Sequence, residues 1–75
     1  MNIDTIATDL YNALNPGWYK PTDQSRVIRV FNSTPLNQVK TLENIYFNKY
    51  KESLKEVLGD KLSDVNFIKV KFYFR

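Results

Sequence analysis

Cysteine and histidine are both absent from this 75-residue chain. Their absence excludes disulfides and removes the commonest soft-metal ligands, the commonest general base and the thiol nucleophile. Only two glycines occur, and neither belongs to a phosphate-cradling loop, a dinucleotide fingerprint or a GxSxG turn. No apolar run approaches the length of a membrane-spanning helix. The opening stretch MNIDTIATDL lacks the basic and apolar regions of a signal peptide. The expectation is a soluble chain, cytoplasmic or virion-associated rather than secreted, with no cofactor, no metal and no catalytic activity.

A hydrophobic content of 43% with eleven aromatic residues argues for a folded domain. A domain of this size buries only about 60% of its unfolded surface. Disulfides and soft metals being excluded, oligomerisation or docking on a partner is the stabiliser left to so small a core. The net charge of +3 is unevenly placed. Through Asp64 the chain carries eight basic and eight acidic residues, so Lys69, Lys71 and Arg75 supply the whole excess.

Helical spacing dominates the first four fifths of the chain. Asp4 is the expected cap of a first helix, whose stripe is Ile3, Ile6, Ala7, Leu10, Ala13 and Leu14. Asn15-Pro16-Gly17 ends it. Trp18 and Tyr19 then stand on a loop, Trp18 expected to fold over the core and Tyr19 to remain partly exposed. Both are candidate partner contacts, because such aromatics are frequent at interface hot spots. Thr22 is the expected cap of a second helix, with Asp23 in its first turn, Val27, Val30 and Phe31 inward and Arg26 and Arg29 outward.

Thr34-Pro35 opens a third helical region carrying Leu36, Val39, Leu42, Ile45 and Tyr46. Leu54, Val57 and Leu58 continue the pattern up to Gly59, a candidate C-terminal cap. Periodicity leaves open whether residues 35–58 form one helix or two.

The tail VNFIKVKFYFR has a different period. Ile68, Val70, Phe72 and Phe74 fall on every second position, which predicts a strand. Ser63-Asp64 is also a helix-start signal, but the alternation of β-branched and aromatic residues favours the strand. No other stretch alternates, so this strand is expected to pair with another chain, adding to a sheet edge in a second copy or in a larger partner. Ile68, Val70, Phe72 and Phe74 would then face an apolar surface, with Lys69, Lys71 and Tyr73 on the other side.

Two other constellations carry less. Glu52 and Glu56 stand one turn apart with Asp60 nearby, an arrangement that on a helix bearing Lys51 and Lys55 is the pattern of a solvated mixed-charge face. Lys49, Lys51, Lys55, Lys69 and Lys71 offer a basic surface, with Lys69, Lys71 and Arg75 as the candidate contacts to nucleic acid or anionic membrane. The same tail lysines protect an exposed strand edge from unwanted pairing.

From IATDLYNAL through TDQSRVIRVFNSTPLNQVKTLENIYFNKYKESLKEVLGDKL, the order of elements resembles an annexin repeat. Ala7, Leu10 and Leu14 match the first helix of that pattern, Thr22-Asp23 the start of the second, and Val27, Ile28 and Phe31 its apolar face. Tyr46 and Tyr50 match aromatics of the third helix, and Leu54, Leu58 and Leu62 the fourth. The resemblance covers residues 5–62 and implies a right-handed four-helix module. The calcium loop of the family resembles Lys-Gly-x-Gly-Thr. Here GWYKPT has one glycine and a proline before Thr22, and the acidic position falls at Asp60-Lys61. Calcium-dependent lipid binding is therefore not implied. Single repeats of this kind in bacterial and phage proteins look like small binding or assembly modules.

The expectation is thus a mainly α protein, with four short helices in an annexin-repeat-like bundle plus a C-terminal β-strand. Residues 1–64 form the bundle and 65–75 the extension. Its expected function is non-catalytic protein–protein assembly through the tail, as a homo-oligomer or with another protein. The alternative is a basic module for nucleic acid or anionic membrane.

Overall fold

The computed structural model describes residues 2–17 and 20–74, and all of the secondary structure among them is helical. Trp18, Tyr19 and Arg75 lie outside the described residues. Five α-helices occur in the order α1 (Ile3–Leu14), α2 (Gln24–Ser33), α3 (Val39–Tyr50), α4 (Leu54–Lys61) and α5 (Asp64–Lys71), with 3₁₀ turns at Leu36–Gln38 and Phe72–Phe74. α1 packs on α2 and α3, while α5 is held between α2 and α4.

The amphipathic stripes form the core. Ile6, Ala7, Leu10, Ala13 and Leu14 of α1 are buried against Val27, Phe31, Val39, Leu42 and Tyr46. Leu54, Val57, Leu58 and Leu62 close one side, and Ile3 and Ile45 are half-buried at the margin. Leu36, expected on the third stripe, is exposed because it lies in the 3₁₀ turn before α3 begins.

Helix ends depart from expectation by a residue or two. Asn2, rather than Asp4, caps α1, its side chain accepting from the Asp4 amide. Asp23 caps α2 by accepting from the Arg26 amide. Thr22 instead donates its hydroxyl to the Leu14 carbonyl at 3.0 Å. The Asp23 amide donates to the Ala13 carbonyl at 2.9 Å, so residues 22–23 satisfy carbonyls that the end of α1 leaves unpaired.

Residues 35–58 form two helices. Lys51 adopts a left-handed conformation (φ 59°) and its amide closes α3 on the Phe47 carbonyl. Gly59 lies inside α4 and is not its cap.

The expected C-terminal strand is absent: residues 64–71 are α5. The Ser63 side chain accepts from the Asn66 amide, and Asp64 stands in the first turn, where its charge suits the helix dipole. An isolated strand would leave its backbone groups unpaired, whereas a helix pairs them within the segment. Packing adds to this. Phe67, Val70 and Phe74, spaced i, i+3 and i+7, turn inward together. Val70 is 1% exposed, and the Phe74 ring meets Phe31 edge-on at 5.6 Å. Burying Val70 alone stabilises the helical arrangement by about 1.5–3 kcal/mol.

Among the described residues, no helix is long and apolar enough to cross a membrane.

Candidate functional site

The predicted tail residues separate once the segment is helical. Val70 belongs to the core and Phe74 is half-buried on Phe31, so the two do not share a free face with Ile68 and Phe72. Ile68 and Phe72 remain outward, 62% and 49% exposed, and Val65, which the tail pattern did not single out, joins them at 65%. These three, at i, i+3 and i+7, with Phe72 the C-cap residue that opens the 3₁₀ turn after α5, form a second apolar stripe on the side opposite the core. α5 is thus apolar on two faces, one filling the bundle and one facing solvent.

The lysines are redistributed as well. On a strand, Lys69 and Lys71 would share a side. On a helix, positions two apart lie about 200° round the axis, so the two lysines flank the outer stripe from different sides. Both are exposed. Tyr73 does not stand beside them. Its ring lies 5.5 Å from Phe31, and its hydroxyl donates to Asn32 Oδ1 at 3.3 Å.

The other basic candidates are partly committed. Lys49 donates to Thr8 Oγ1 at 2.8 Å and pairs with the Asp4 carboxylate at 3.1 Å. Lys51 is the left-handed residue after α3, and Lys55 lies on α4. The five basic residues therefore do not make one continuous surface on a single element. Glu52 falls in the turn before α4 and Glu56 in its first turn, so the pair is not held along one helix.

Besides the packing of Val70, a polar contact with α2 holds α5 on the bundle. Gln24 Oε1 accepts from the Ser63 amide at 2.9 Å and from Asn66 Nδ2 at 2.7 Å. A long-range pair such as Gln24–Asn66 leaves no local signature in the sequence. The Ser63-Asp64 start did.

A cleft lies between the α1–α2 loop, at Gly17, Lys20, Pro21 and Thr22, and Asp60-Lys61 at the end of α4. Asp60 is the only carboxylate among its described lining residues. Calcium takes six to eight oxygen ligands.

One buried polar atom stands without a partner among the described residues, the Tyr46 hydroxyl. Tyr46 is buried, and its oxygen has no hydrogen-bond partner among the described groups. Burial, and then the nearby Glu52 carboxylate, push its phenol above the ordinary tyrosine range. Its ring is part of a cluster in which Tyr11 and Tyr50 stack at 4.0 Å and Tyr46 lies 4.9 Å from Tyr50.

The chain matches no family model, no curated protein and no solved structure. The reading of its role therefore rests on the geometry of α5.

Proposed function

We propose that this chain is a non-catalytic protein–protein interaction module whose docking surface is the outer face of α5. The observation that carries this reading is the exposure of Val65 and Ile68 on α5, and of Phe72 at its C-terminal end, on a segment whose other face already fills the core. Three of the five large apolar side chains exposed among the described residues fall on this one short segment. Single exposed hydrophobic residues are ordinary, but a contiguous stripe marks a docking face. An apolar stripe at i, i+3 and i+7 is also the pattern by which one helix seats on another.

The annexin-like order of residues 5–62 supports the same role, since single repeats of that kind resemble small assembly modules of phage or bacteria. A basic module for anionic membrane or nucleic acid is the second reading, favoured by Lys69 and Lys71 flanking the stripe. It requires binding that weakens steeply with salt.

The test replaces the outward residues while sparing the core. Ile68→Ser with Phe72→Ser is expected to leave the thermal midpoint within a few degrees and to abolish association with another chain. Val70→Ser is expected to unfold the bundle. A large loss of stability in the outward double variant would mean that these residues serve the fold and would sink the reading.

A further inference from the structure

The outer face of α5 carries its own charge pattern, and from it we infer that the face is self-complementary: its occupant is a second copy of this chain, packed antiparallel about a two-fold axis through Ile68. The inference rests on the docking-face reading above.

Val65 and Phe72 lie on either side of Ile68 along the stripe. Asp64 and Lys71 stand at its two ends, seven residues apart. Seven residues bring a helix back to within about 20° of the same direction, so the carboxylate and the ammonium edge the same flank. Among the described residues the ion pairs are Arg26–Asp9 and Lys49–Asp4, which leaves Asp64 and Lys71 uncommitted within that set.

An antiparallel two-fold pair places Asp64 beside the partner's Lys71, and Lys71 beside the partner's Asp64. A parallel pair would set this flank against the Lys69 flank of the partner, where Asp64 and the partner's Lys71 do not meet. An anionic surface would meet Asp64 at the edge of the apolar stripe, which disfavours it against a second copy. Lys69 edges the other flank, where its methylene stem covers the apolar margin and its ammonium reaches water.

The contact is small. Eight helical residues span only about 12 Å, too short a contact to bury the roughly 800 Å² per partner of a tight complex. The dimer is accordingly weak, with a dissociation constant on the order of 0.1–1 mM.

Sedimentation equilibrium up to about 1 mM chain reads this directly. The wild type is expected to rise toward twice the monomer mass. Asp64→Lys and Lys71→Glu, each confirmed as folded by circular dichroism, are each expected to weaken dimerisation about tenfold, since each turns two attractions into repulsions. Mixing the two variants is expected to restore association, because the mixed dimer opposes unlike charges at both ends. A mixture no tighter than either variant alone overturns the inference. So does a strict monomer throughout, or vesicle binding without self-association. A strict monomer whose position 68 crosslinks to a different polypeptide overturns the self-pairing alone and leaves the docking face standing.

Discussion

Gln24 and Asn66, forty-two residues apart in sequence, meet through a 2.7 Å hydrogen bond from Asn66 Nδ2 to Gln24 Oε1. The same oxygen accepts from the Ser63 amide. Both partners are donors, so the acceptor end of the amide must point at α5. This one side chain ties the N-terminus of α2 to that of α5 and adds to the packing of Phe67 and Val70 that turns the opposite face outward.

Gln24→Ala should therefore cost about 1–2 kcal/mol in denaturant unfolding, the net worth of two hydrogen bonds. Gln24→Glu keeps an acceptor at the same place and should cost less. Equal losses in the two variants would show that the acceptor is not what holds α5.

Tyr46 offers a prediction with a definite sign. Its hydroxyl is buried with no partner among the described groups, and leaving such a group unpaired costs about 1–3 kcal/mol. Tyr46→Phe should hold or raise stability near neutral pH.

At alkaline pH the same residue destabilises the wild type. An unfolded tyrosine ionises near pH ~10, whereas burial holds the folded Tyr46 neutral to higher pH. The contribution is complete below about pH 10 and is lost as pH rises from there through the folded value. Unfolding measured at about pH 8 and about pH 11 should show a steeper loss in wild type than in Tyr46→Phe. Parallel losses would contradict the burial account.

Two backbone positions invite stabilisation. Lys51 is left-handed at φ 59°, a conformation glycine adopts without strain, so Lys51→Gly should stabilise by up to about 1 kcal/mol. Gly59 sits within α4, and a Cβ there would meet only the Phe67 ring at 3.9 Å, an ordinary contact. Gly59→Ala should add about 0.5–1 kcal/mol. Thermal unfolding reads both, and a fall in midpoint in either variant contradicts the local geometry.

Much of the fold was legible in the residues, and the tail was not. α1 and the second helix carry one apolar stripe each, so period alone places their buried faces. α5 carries two. Val65, Ile68 and Phe72 face out while Phe67, Val70 and Phe74 face in, and the two sets interleave into an alternation that mimics a strand. The helix-start signal at Ser63-Asp64 was readable, but the contacts that hold the helix, from Gln24 and from Phe31, are long-range. Of the tail residues singled out in the sequence, Ile68 and Phe72 lie on the outer face proposed for docking while Val70 and Phe74 pack inward; Val65, which precedes the alternating run, was not singled out. Trp18, Tyr19 and Arg75 lie outside the described residues.

The central claim is that another polypeptide docks on the outer face of α5. Its most direct test is photocrosslinking in the native host, with a photoreactive residue at position 68 and, as control, at the exposed Asn44 on α3. A discrete polypeptide adduct from position 68, a second copy of the chain included, with none from position 44, is the predicted result. No adduct from position 68, or equal adducts from both positions, would contradict it.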